Sequence, residues 1–129
     1  MSHTSAFPVI MSIKRIVPDI TSDRMEESRA FYTECLGLNL AMDMGWIMTF
    51  VSPSQPLAQV TVMQAPPPEA AVPNPQVSIE VEDVDAAHDR AVAQEAKIVY
   101  PLTDEPWGVR RFFVEDPNGV VINVMCHLA

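Results

Sequence analysis

The chain has three histidines, two cysteines and a Gln76–Glu80 pair, and their spacing restricts the chemistry they can do. His3, His88 and His127 lie far apart, and no His-x-x-x-His pair or comparable metal-binding spacing occurs. His88 reads as a boundary residue of a helix. His127 lies four residues beyond Asn123, so on an extended strand the two side chains share a face. Gln76 and Glu80 share parity in the same way, and Glu80 is the carboxylate best placed to line a cleft beside Gln76. No Ser-His-Asp motif and no glycine-rich phosphate loop is present. Cys126 is a candidate cleft thiol, but no neighbouring base activates it. Cys35 falls on the apolar stripe of a helix with Phe31 and Leu36 and reads as packing. Trp46 opens one strand and Trp107 lies in the loop before another, and their rings suit a flat organic ligand.

These residues need elements to position them. Residues 107–124 read as strand, tight turn, strand. Asp116 can cap its own backbone, Pro117 pre-sets one φ, and Asn118-Gly119 accept φ > 0. Earlier in the chain, residues 13–20 alternate as a strand, with Pro18 suggesting an edge or a bulge. Residues 25–36 form a helix capped by Ser22 or Asp23, favoured by Glu26 and Glu27 at its positive end, and ended by Gly37. Short strands follow at 38–42, 46–51 and 59–64. Residues 65–75 hold five prolines and read as a stiff extended connector. The order then recurs: a strand at 76–81, a helix at 84–94 with Asp83 as N-cap, a strand at 96–100, and the hairpin. Residues 20–35 align with 79–94, and 59–63 with 121–125. The expected fold class is α+β: tandem βαβββ modules, 12–64 and 76–126, forming a curved mixed sheet with an inter-module cleft. Neither half can bury its sheet alone, so the halves must pack on each other or on a partner chain.

Bulk properties narrow the partners. A chain of 129 residues with 48% hydrophobic and 19% charged side chains suits one globular domain. The net charge of -9 argues against nucleic acid and mildly favours cationic ligands. No apolar run approaches the roughly 20 residues that span a bilayer, so no membrane partner is expected. The N-terminus lacks a basic stretch followed by an apolar one, and two cysteines make no disulfide framework, so a cytoplasmic, reduced setting is expected. Eight methionines suit adaptable core filling or a malleable pocket.

Three motifs stand in order at the spacing of the repeat. They are Ser28-Arg29-Ala30-Phe31-Tyr32 with Leu36-Gly37-Leu38, then Val81-Glu82-Asp83-Val84-Asp85-Ala86-Ala87, then the Asp116-Pro117-Asn118-Gly119 turn. Together they resemble the vicinal-oxygen-chelate superfamily of glyoxalase I, bleomycin-resistance proteins and extradiol dioxygenases, over about residues 13–126. The resemblance implies two half-barrel modules that pair within or between chains and enclose a small-molecule cleft. It implies four metal-ligand positions, usually His, Gln or Glu, which fall on Val17, Thr61, Gln76 and Asn123. Val17 has no donor, Thr61 and Asn123 are neutral, and only Gln76 is a type the family uses. One or two neutral oxygens do not compensate a first-row divalent ion for its dehydration, so no metal and no other cofactor is expected.

The resemblance also places substrate contacts on Arg111 and Phe113. With Trp46, Gln76, Trp107 and Asn123 they form the expected ligand-binding set, suited to a planar or anionic organic molecule. The first functional expectation is metal-free binding, as in bleomycin-resistance-type sequestration, or metal-free chemistry. The alternative is a metal-dependent lyase, isomerase or dioxygenase with a rearranged site of Gln76, Glu80 and His127. A third is an interaction module with a filled cleft. A homodimer is expected, because half-barrels expose edges that need covering.

Overall fold

Alternating and 3.6-period patterns resolve into one sheet and two helices in the computed structural model, which describes residues 12–129. In chain order these are β1 (Ile13–Ser22), α1 (Met25–Ala30), β2 (Asn39–Asp43), β3 (Ile47–Val51), β4 (Gln59–Gln64), β5 (Val77–Val81), α2 (Val84–Ala93), β6 (Lys97–Asp104), β7 (Val109–Glu115) and β8 (Val121–His127). The strands make one open eight-stranded mixed sheet in the order β2-β3-β4-β1-β5-β8-β7-β6. Each module pairs its first strand in parallel with its last, β1 with β4 and β5 with β8. The modules join within the one chain through the antiparallel β1–β5 ladder, in which Val17 faces Ser78. Among the described residues no helix is long and apolar enough to cross a membrane.

Side-chain alternation gives the sheet two different faces. On one, Met48, Phe50 and Val62 pack with Met25 and Tyr32 of the first helical segment. On the same side of module two, Val81, Phe112 and Val124 pack with Val84 and Ala87 of α2. Both cores thus lie on the helix side, and the opposite, helix-free face is left to carry the polar residues of the central strands.

Four local expectations need correction. Pro18 lies on a central strand, not an edge. Its missing N–H is tolerated because it is the last residue paired with β5, and the ladder to β4 begins only at Asp19. The first helix changes character after Ala30, where Phe31–Cys35 form a π turn closed by Leu36 N–H donating to Phe31 O at 3.1 Å. The extra residue in that turn rotates the stripe. Tyr32, not Phe31, meets Phe50 at 5.1 Å, while Phe31, Cys35 and Leu36 are exposed. The cap of this helix is also indirect, with Ser22 Oγ accepting from Arg24 N–H at 2.8 Å. Lastly, β6 runs four residues past the expected end at 100, through Pro101. It is an edge strand with register shifts against β7, so the proline breaks no essential ladder bond.

Two turn devices behave as their residue types require. Asp116 Oδ1 accepts from the N–H groups of Asn118 at 2.8 Å and Val120 at 2.9 Å, and Gly119 takes φ of 82°. Asp83 caps α2 by accepting Ala86 N–H at 3.0 Å. Asp83→Ala is expected to lower stability by about 1 kcal/mol, read as a fall in the urea midpoint with an unchanged slope.

Candidate functional site

The central strands β4, β1, β5 and β8 set their helix-free side chains in rows. In register, Asp19 stands beside Thr61, Val17 beside Ser78, Ser78 beside Asn123, and Asn123 beside Phe113. The floor is closed by its own side chains: Val17 and Phe113 are 4% and 3% exposed, and Met63 and Met125 are buried next to Thr61 and Asn123.

A polar chain runs through this floor. Ser78 Oγ donates to Asp19 Oδ2 at 2.6 Å, and Asn123 Nδ2 donates to Ser78 Oγ at 3.1 Å. Asn123 Oδ1 is buried and takes no hydrogen bond from a described residue. Asp19 is 6% exposed. Burial pushes its carboxyl up to about 6, against the smaller opposing effects of the Ser78 hydroxyl and the Arg15 charge.

Below it lies a charged row. Arg15 Nε donates to Glu80 Oε1 at 2.6 Å, and Arg15 Nη1 to Gln59 Oε1 at 2.6 Å. His127 Nδ1 meets the other Glu80 oxygen at 2.9 Å. Burial alone would raise the Glu80 carboxyl, but the bonds from His127 and Arg15 outweigh it and hold it below the usual range. Towards β6 there is an aromatic corner. The Arg111 guanidinium sits 4.8 Å from the Phe113 ring, 5.1 Å from Trp107 and 5.4 Å from Tyr100. Its Nε donates to Glu105 Oε2 at 2.6 Å, and the Tyr100 hydroxyl donates to the same oxygen at 2.9 Å.

Of the expected ligand-binding residues, Trp107, Arg111, Phe113 and Asn123 come together on this face. Arg111 is not an open anion receptor, because Glu105 already balances its charge. Gln76 is exposed at the mouth of β5, and its Oε1 accepts Val121 N–H at 3.2 Å. Trp46 is 51% exposed before β3 and takes no part in the ring contacts around Arg111. Cys126 packs against the module-two core on the helix side, so it is not a cleft thiol. His127 and Glu80 meet, but Gln76 does not join them.

The four positions implied for metal ligation are held by Val17, Thr61, Gln76 and Asn123. Val17 offers only methyl groups, the Gln76 oxygen accepts a backbone N–H, and Asn123 gives its Nδ2 to Ser78 while its Oδ1 takes no hydrogen bond from a described residue. No group of three or more His, Cys, Asp or Glu side chains able to hold a metal ion occurs among the described residues. Asp19 and Ser78 were not anticipated. The repeat contained the signal, since the alignment that pairs Val17 with Gln76 also pairs Asp19 with Ser78, two residues on and on the same face.

The profile of the family described as the glyoxalase/bleomycin resistance protein/dioxygenase superfamily matches residues 12–124. No curated protein matches the chain. Among solved structures, a glyoxalase/bleomycin resistance protein/dioxygenase superfamily member from Vibrio splendidus 12B01 is 16% identical, with a TM-score of 0.68 over 89% of this chain and 99% of that one. Streptomyces coelicolor methylmalonyl-CoA epimerase is 15% identical, with a TM-score of 0.69 over 92% of this chain and 100% of that one. Homoprotocatechuate 2,3-dioxygenase from Brevibacterium fuscum is 18% identical, with a TM-score of 0.69 over 95% of this chain but 35% of that longer one. At these identities the likeness is one of fold.

Proposed function

Since the chain belongs to the glyoxalase/bleomycin resistance protein/dioxygenase superfamily, we propose that it binds a small organic molecule on the helix-free face of its sheet, without a metal ion. The observation that carries this reading is the methyl-bearing Val17 and the Gln76 oxygen committed to a backbone N–H at two of the four ligand positions, beside a buried carboxyl–hydroxyl–amide chain. Oxygen and imidazole donors converging on one point would favour a metal; these side chains favour hydrogen bonding to an organic group. Trp107, Phe113 and Tyr100 supply aromatic surface beside it. Sequestration of the bleomycin-resistance kind needs no more than such walls and one polar anchor.

A second reading, metal-free catalysis, is favoured by the Glu80–His127 contact. A carboxylate fixed by Arg15 and bonded to Nδ1 orients an imidazole, leaving Nε2 to exchange a proton with a bound molecule. Fold does not choose between the two.

A thermal-shift screen of chelator-treated protein against organic metabolites tests the first reading, since a ligand selective for the native state raises the melting temperature. Stabilisation by organic compounds that is unchanged when zinc, nickel or manganese is added is expected. Stabilisation that appears only with the metal would overturn it. His127→Ala separates the readings: under sequestration it leaves the stabilisation intact, whereas under catalysis it abolishes turnover of the compound that binds.

A further inference from the structure

Building on the reading of this face as a small-molecule site, we propose that its ligand carries a protonated amine, which docks on Asp19 with Asn123 as a second acceptor. The charge balance of the face points there. Glu80 is neutralised by Arg15 and Glu105 by Arg111, each through a contact of 2.6 Å. Among the described residues Asp19 has no such partner. One neutral hydroxyl, that of Ser78, meets it at 2.6 Å. No hydrogen bond from a described residue reaches its other carboxyl oxygen. Arg15 is felt through space, but its guanidinium bonds are made to Glu80 and Gln59. A nearly buried carboxylate without a counter-ion is costly, and a cation relieves that cost.

A second observation is independent of charge. Asn123 is 9% exposed, and its buried Oδ1 has no donor among the described residues. Its Nδ2 is occupied by the same Ser78 hydroxyl that serves Asp19. Two acceptors without a donor among the described residues therefore flank one hydroxyl, and one of them, Asn123 Oδ1, is buried, a state native proteins rarely leave unmet. An ammonium brings several N–H donors and a positive charge, and so can answer both. A carboxylate or phosphate brings only acceptors, and a single neutral hydroxyl answers one. Met125 neighbours Asn123 and Met63 neighbours Thr61 on their strands, and such flexible side chains can yield to an entering group. Phe113, the register partner of Asn123, offers a ring beside the cation.

The test titrates benzylammonium, benzyl alcohol and benzoate, matched in shape, into the full chain. Calorimetry gives affinities, and the Asn123 side-chain amide resonances report the place of binding. Benzylammonium is expected to bind about tenfold tighter than benzyl alcohol, and benzoate weakest, as a charge-assisted hydrogen bond implies. The Asn123 amide signals should move on binding. In Asp19→Asn the preference for the ammonium should vanish; in Ser78→Ala, which keeps the carboxyl, it should persist. Equal affinity for ammonium and alcohol, or a preference that survives Asp19→Asn, overturns the amine anchor and leaves the small-molecule reading standing. No saturable binding by any of the three overturns the anchor too, and with an empty thermal-shift screen it removes the broader reading as well.

Discussion

Asp19→Asn is expected to stabilise the protein by about 3 kcal/mol at about pH 8 and by almost nothing at about pH 4. The sign follows from where the proton is held. In the unfolded chain this carboxyl titrates at its ordinary 3.8, whereas in the fold burial pushes it up to about 6. Between those values the native state keeps a proton that the unfolded state has released, so stability falls as pH climbs through the interval. Below it both states are protonated and the position costs nothing. Above it the native state carries an ion in a site that is 6% exposed. Asparagine has the same shape, still accepts from Ser78, and is neutral throughout. The gain corresponds to roughly 10 °C in melting temperature at the higher pH for a chain of this size. Melting curves at the two pH values check it. Loss of stability in the variant at both would mean that the carboxyl serves the fold. A side chain that costs stability where it stands is typical of a functional position, and the same substitution should remove the preference for ammonium ligands.

Phe112→Ala should have the opposite and larger effect, a loss of about 3–5 kcal/mol. Phe112 is 1% exposed, packs with Val81, Val84, Ala87 and Val124, and meets the His88 ring edge-on at 4.9 Å. It lies on β7 between Arg111 and Phe113, whose side chains take the other face. The cavity would loosen α2 against the sheet and, through the shared strand, the aromatic corner around Arg111. Denaturant unfolding measures the first effect, and the chemical shifts of Trp107 report the second. A loss below about 1 kcal/mol would show that the module-two core collapses freely around the gap.

The architecture was legible wherever a local rule and the tertiary context agreed. Asp83 capped its helix, the Asp116 turn closed its hairpin, and β4 began and ended where the alternation did. The tandem repeat gave the joining of the modules, although it left open whether they join within one chain. The misreadings came where the context decided. Pro18 argues for an edge on propensity alone, but the transfer of β1 from one neighbour to the other removes the need for its N–H. A π turn is invisible to a 3.6-residue period, which predicts Cys35 and Leu36 inside, whereas they lie outside. Cys126, a candidate cleft thiol by type, falls on the helix side because β8 alternates and Asn123 and Cys126 are an odd number apart. Trp46 drew attention by type, yet nothing in its spacing tied it to the corner that holds Trp107.

The site was half legible for a related reason. Parity and the family pattern brought Asn123, Arg111, Phe113 and Trp107 to one face. Neither shows which charges are already answered. Glu105 neutralises Arg111 across a bulged ladder whose register the sequence does not display. That contact turns an expected anion receptor into a balanced pair and leaves Asp19, on this face, without an ion pair to a described residue.

The most direct test is equilibrium dialysis of chelator-treated protein against zinc, manganese and nickel. Elemental analysis of the retentate and benzylammonium titration of the same samples follow. Substoichiometric metal and an ammonium affinity indifferent to it are the predicted results. One tightly held ion per chain at Val17, Thr61, Gln76 and Asn123, with ligand binding that begins only once the ion is in place, would contradict the account.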